Sequence, residues 1–339
     1  MKRLSKNIFA VSISFLSLTL LSAQKKVTDY PIQPVAFTKV HLTDDFWAPR
    51  LETNARVTIP YILDQLRMHG RIDNFLIAAH KKKGKLSEYP FDDTDLYKLI
   101  EGASYSLQEK YDAKLDRELD TLISIIGSAQ EPDGYLYTFR TADPDTAITN
   151  TPHDWIGSKR WEKDSVLSHE LYNCGHLYES AVAHYQATGK KTFLKVAIKN
   201  VDLLVKTFGQ KSIHEYPGHQ IVELGLVKMY RITGKEAYLI LAKFFLDVRG
   251  PGGEPYNQAD KKVINQRHAE GHAVRAAYMY TGMADVAALT NDEGYLEAID
   301  TIWNDVADKK LYITGGIGAT GDGEAFGEAY DLPNMSAYA

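Results

Sequence analysis

The sequence predicts an all-α protein, built as a closed toroid of helical hairpins. Three observations carry this. Beyond Arg50, apolar residues recur at helical spacing almost without interruption. A helix–turn–helix unit repeats three times along the chain. The connections between the units vary in length, whereas an open solenoid keeps its connections uniform.

The repeats begin at Gly175 (GHLYESAVAHYQATGKKTFLKVAIKNVDLL), Gly218 (GHQIVELGLVKMYRITGKEAYLILAKFFLD) and Gly271 (GHAVRAAYMYTGMADVAALTNDEGYLEAIDTIWNDV). Each opens on Gly-His, runs into an apolar helix, turns at Thr-Gly or Thr-Asn, and resumes in a second helix near Phe193, Tyr238 or Tyr295. Thr188 and Thr233 are 45 residues apart, and Thr233 and Thr290 are 57 apart. Both helices of each pair are apolar over more than a narrow stripe, so both are expected to be well buried. Long loops at 143–163 and 247–270 favour a ring whose inner helices line a cavity. Roughly ten helices can be counted by pattern. A six-hairpin ring needs twelve, and the shortfall falls at the C-terminus.

The chain starts with Lys2, Arg3 and Lys6, an apolar run from Ile8 to Leu21, and then Ser22 and Ala23. This is the pattern of a secretory leader, with cleavage expected after Ala23 and export to the periplasm or the medium. The run is short for a membrane span. An extended segment follows over 24–49, and the helical domain over 50–339. In DDTDLYKLIEGASYSLQEKY, Asp92 to Thr94 are candidate caps ahead of Leu96, Leu99 and Ile100. The next helix, DRELDTLISIIGSAQEPDG, closes in a turn at Pro132, Asp133 and Gly134. After the polar loop the helical pattern resumes at Ser168.

A net charge of −5 without a long basic run argues against nucleic acid or an anionic membrane as partner. The 21 tyrosines suit a carbohydrate cleft, but they suit a packed helical core equally well. The single cysteine, Cys174, allows no internal disulfide and no multi-cysteine metal site within these residues. A buried structural thiol is its expected state. His176, two positions on, would not share its helix face.

The Gly-His pairs hold the first candidate site. If His176, His219 and His272 each open an inner helix, their imidazoles converge at one mouth of the ring, where helix N-termini favour negative charge. Imidazole both donates and accepts hydrogen bonds, which suits a hydroxyl-rich ligand. A cap or a core filler is the ordinary state of one such histidine; three in matching repeat positions favour a ligand role. A three-histidine metal site is disfavoured, because HEYPGH and HELYNCGH lack the H-E-x-x-H spacing. The second candidate lies in GGIGATGDGEAFGEAYDLPNMSAYA, where Glu324 and Glu328 stand four apart.

Taken together, DDFWAPRL, HELYNCGHLYESAVAHYQATGK, GHAVRAAYMYTGMADV, LYITGGIG and GEAFGEAYDLPN resemble the β-L-arabinofuranosidases of glycoside hydrolase family 127, from about Val35 to Ala339. The resemblance implies an (α/α)6 barrel, followed in full-length members by β-sandwich domains. It implies a retaining exo-glycosidase acting on plant cell-wall oligosaccharide or polysaccharide. The nucleophile it implies is a cysteine thiolate, bound to zinc together with two more cysteines and a glutamate. The general acid/base falls on Glu324, and the histidines that hold the sugar fall on His176, His219 and His272. Glu328 is then a structural or solvent-facing residue.

In the family the DLPN motif runs on into Glu-Thr-Cys, whereas this chain ends at Ala339. Cys174 matches none of the family cysteines. The zinc ligands and the nucleophile are therefore expected to be absent from a truncated barrel that turns over poorly. The alternatives are a family member acting on another unusual plant sugar, such as the acidic sugar of rhamnogalacturonan II, an inactive carbohydrate-binding fragment, or a sugar epimerase. The leader counts against the last, because those enzymes are usually cytoplasmic.

Overall fold

A computed structural model describes residues 29–142 and 153–338. The expected leader and the front of the 143–163 loop lie outside them. Among the described residues the only β pairing is in isolated bridges, as an all-α fold requires.

Eleven helices are used below: α1 (Trp47–Thr53), α2 (Ile59–Met68), α3 (Arg71–Ala78), α4 (Asp93–Glu109), α5 (Ala113–Ala129), α6 (Glu170–Thr188), α7 (Thr192–Thr207), α8 (Val222–Thr233), α9 (Glu236–Val248), α10 (Ala273–Thr290) and α11 (Glu293–Lys309). From α2 onward they pair as five hairpins among the described residues. The first helices of the pairs, α2, α4, α6, α8 and α10, pack each against the next. Of the second helices, α5 packs on α7 and α7 on α9. This is the inner and outer ring of an α/α toroid.

The repeat punctuation has a local cause. Thr188, Thr233 and Thr290 donate their hydroxyls to the carbonyls of His184 (2.6 Å), Met229 (2.7 Å) and Val286 (2.7 Å) four residues back. The next residues, Gly189 (φ 72°), Gly234 (φ 70°) and Asn291 (φ 54°), are left-handed and close their helices. The tyrosines at the start of the second helices brace one outer helix to the previous one. Tyr238 donates to Asp202 and Tyr295 to Asp247, both at 2.6 Å.

Three expectations need correction. The outer helices are not all buried over broad faces: α9 buries Tyr238, Leu241, Ala242, Phe244, Phe245 and Leu246, but α11 buries only Tyr295, Ala298, Ile302 and Asp305, a single stripe, because its other side meets solvent. The inner helix α6 is buried continuously from Glu170 to His184. Asp92 stands at the N-cap of α4, but its carboxylate accepts from Tyr89 N (3.0 Å) and not from the helix. Asp93 likewise turns away to accept from Thr138. Finally, α6 starts at Glu170, so Gly175 and His176 lie inside it. Gly175 serves close approach, since a Cβ there would stand 2.6 Å from Ile221 Cγ2 and 2.8 Å from Val222 N, at the start of α8.

Candidate active site

Three segments meet where α6, α8 and α10 begin. His169 is the residue before α6, with φ 63°. His219 lies three residues ahead of α8, behind Ile221 at φ 146°. His272 caps α10, with its Nδ1 facing Arg275 N at 3.5 Å. The loop carrying Glu324 folds back onto this cap. Ala273 N donates to Glu324 O (2.9 Å) and Phe326 N to Gly271 O (2.9 Å). Glu324 itself has φ 50°. Such left-handed non-glycine residues cost free energy, and they persist where the surroundings over-determine them.

The rings form a row. The His219 centroid lies 5.8 Å from that of His169 and 5.5 Å from that of His272. Tyr172 packs against His219 at 4.3 Å, and Tyr256 lies 5.6 Å from His272. His272 Nε2 is 2.9 Å from Glu324 Oε2. All three histidines are buried, while the Glu324 side chain is 41% exposed.

Hydrogen-bond partners set the tautomers. His169 Nδ1 donates to Leu167 O, and His219 Nδ1 donates to Gln220 O at 2.9 Å. Their Nε2 atoms therefore carry lone pairs. His272 is the opposite: Nδ1 accepts from a backbone N–H, and Nε2–H donates to Glu324. The row thus offers two acceptors and one donor already engaged with a carboxylate.

Burial keeps these imidazoles neutral, by disfavouring the charged form. It lowers His169 to about 3, with Arg275 adding to the effect, and lowers His272 to about 4, again with Arg275 adding and Glu324 opposing. His176 and His219 are also held well below the ordinary imidazole range, chiefly by burial.

Of the residues singled out in the sequence, the structure brings His219, His272 and Glu324 together. His176 stands deeper, two turns into α6, against Tyr172 (4.7 Å) and Tyr278 (5.8 Å), and its Nε2 has no partner. It reaches the row through Tyr172 and through Tyr278, whose ring lies 6.1 Å from that of His219. The residue that takes the mouth position is His169, which the sequence analysis weighed only as metal spacing. Its signal was the start of the helix at "SHEL" instead of at Gly175. Also unforeseen are Arg275, and Lys98 on α4, which donates to Tyr172 Oη at 3.0 Å. Glu328 is exposed, and its carbonyl accepts from Asp331 N at 3.0 Å.

The donors described here do not fit a zinc–thiolate centre. Cys174 is buried beside Tyr178 and Asn200, and burial pushes its thiol far above the ordinary range, against thiolate formation.

Comparison with known proteins agrees with the helical fold. The family model described as "Beta-L-arabinofuranosidase, GH127 catalytic domain" matches residues 39–339. The non-reducing end β-L-arabinofuranosidase of Bifidobacterium longum subsp. longum is 32% identical, over 88% of this chain and 51% of that protein. A solved GH127 β-arabinofuranosidase superposes with a TM-score of 0.86 at 53% identity, covering 91% of this chain and 49% of its own. A GH127 β-L-arabinofuranosidase from Geobacillus stearothermophilus T6 superposes with a TM-score of 0.81 at 38% identity, covering 88% and 50%. The chain spans about half the length of each of these relatives.

Proposed function

The chain belongs to glycoside hydrolase family 127, and from that premise we propose that it carries the acid/base side of an exo-acting, retaining β-L-arabinofuranosidase site. The observation that carries this is the Glu324–His272 pair. Glu324 is partly exposed at the mouth, so it can reach a glycosidic oxygen. The neutral His272 donates to it without delivering a proton, and this orients the carboxyl group. A retaining glycosidase needs such a group to protonate the leaving oxygen and later to deprotonate the attacking water.

The free Nε2 lone pairs of His169 and His219 suit sugar hydroxyl donors. Their centroid separation of 5.8 Å lets both grip one small ring. Tyr172 and Tyr256 offer the apolar faces that a furanose packs against. His176 acts at one remove, behind Tyr172.

The second group of a retaining mechanism attacks the anomeric carbon. The resemblance assigns that role to a zinc-bound cysteine. Cys174 is remote from the row and does not supply it, so no step here is routed through zinc. The substrate we infer is a β-L-arabinofuranoside of plant cell-wall glycans, met after export through the leader at 1–23.

The test is twofold. L-Arabinose titrated into the protein should bind, Glu324→Gln should bind it comparably, and in the chain extended to carry the family's zinc-bound cysteine that substitution should lower hydrolysis of a chromogenic β-L-arabinofuranoside about 10²–10⁴-fold. Undiminished turnover in that variant would remove Glu324 from the mechanism.

A further inference from the structure

Behind the row lies a buried guanidinium. Arg275, in the first turn of α10, is 5% exposed. Its Nη1 donates to Gly218 O at 2.7 Å, and its guanidinium lies 4.8 Å from the centre of the Tyr256 ring. The adjacent carbonyl, Pro217 O, is held by Arg249 from the end of α9. Arg249 also donates to Asn257 O at 2.8 Å and faces the buried Glu223 at 3.7 Å. Two consecutive carbonyls ahead of His219 are therefore pinned by two buried arginines. The one from α10 also stands among the row itself.

We propose that Arg275 is a positioning residue of this site: its guanidinium ties the segment that carries His219 to the helix that carries His272. The tether follows from the 2.7 Å bond, because Gly218 immediately precedes His219. The other bonds to the 217–221 segment come from Arg249, from Gly218 N to Asp164 O (2.9 Å), from Gln220 to Asn257 O (3.0 Å) and Gln258 (2.9 Å), and from Ile221 N to Glu223 (3.1 Å).

The charge has a definite role. The groups facing His272 are Glu324 from the 318–326 loop, Tyr256 from the connection before α10, His219 from the segment before α8 and Arg275 from its own helix; His169 and Tyr172 lie beyond His219. Glu270 turns outward to Lys261 at 3.0 Å. Burial is the larger cause holding His272 below the ordinary imidazole range; Arg275 adds to it and Glu324 opposes it, so His272 faces Glu324 as a neutral donor.

The inference about sugar binding rests on the reading of function above; the claim about His272 does not. The test is an NMR titration of ring-labelled histidines in the full chain from pH 4 to 8, for the parent, Arg275→Met and Arg275→Lys. Arg275→Met should raise the His272 midpoint by about one unit or more, because a like charge beside it has gone. Arg275→Lys should leave that midpoint low, but should shift the His219 resonances and weaken L-arabinose binding several-fold. A folded Arg275→Met protein whose His272 titrates as in the parent overturns the electrostatic role. Parent-like His219 signals in Arg275→Lys overturn the tether, and this arm stands even if Arg275→Met does not fold. If the parent itself fails to bind L-arabinose, the sugar reading falls, while the titration still decides the role of Arg275.

Discussion

His272 Nε2 and Glu324 Oε2 stand 2.9 Å apart, joining the cap of α10 to a loop that lies 52 residues further along the chain. The contact depends on the loop's backbone. Glu324 O accepts from Ala273 N, so the same residue is held by its main chain and its side chain at one helix end. The relation ties the conformation of the loop to the hydrogen-bonding state of the site.

His169→Ala and His219→Ala should each weaken L-arabinose binding about 3- to 10-fold, the worth of one hydrogen bond of roughly 0.5–1.5 kcal/mol. His176→Ala should have the smaller effect on affinity, because Tyr172 stands between it and the row. Calorimetric titration of the three variants checks the order. An effect of His176→Ala larger than the other two would reassign the mouth of the site.

Stability should fall on acidification. The folded values of His169 (about 3) and His272 (about 4) lie below the ordinary imidazole value of 6.5. Their contribution is fully present above about pH 6.5 and is lost as the pH falls through the folded values, because the unfolded chain binds protons that the folded chain refuses. Urea midpoints measured from pH 7 down to 4 should decline. Replacing His169 by Gln should flatten part of that slope.

The start of α6 predicts the opposite trend toward alkaline pH. Glu170 accepts from Trp161 N at 2.7 Å and from Ser168 at 3.2 Å, close to the buried Asp164. Burial first, and then the Asp164 charge, raise Glu170 to about 8. Its contribution is complete below the ordinary carboxylate range and is lost as the pH rises through about 8. Glu170→Gln should therefore be less sensitive than the parent between pH 6 and 9, as read by urea unfolding.

Cys174 should resist alkylation by iodoacetamide in the native protein and react only on unfolding, since its thiol is 2% exposed and burial disfavours the thiolate. Cys174→Ser should retain L-arabinose binding, because residue 174 is buried beside Tyr178 and Asn200 and not among the rings of the row. Rapid native labelling would contradict the burial described here.

The sequence by itself determined what is local or repeated. Thr188-Gly189, Thr233-Gly234 and Thr290-Asn291 mark helix ends because a hydroxyl bonding four residues back and a left-handed residue are both short-range devices. The three hairpins and the ring they imply were legible for the same reason, whereas Glu324 was singled out only by the resemblance of its motif. Which histidines share the mouth was decided by tertiary structure. The segment before Gly175 continues the helix, so His176 is drawn inward and His169 takes its place beside His219. That exchange turns on where α6 starts, and buried contacts fix the start: Asp164 accepting from Leu171 N (2.8 Å), and Glu170 bonded to Trp161 N across the preceding turn. Arg275 was equally silent in the sequence. A charged residue in an apolar helix reads as surface until a carbonyl from another segment is found 2.7 Å away to receive it.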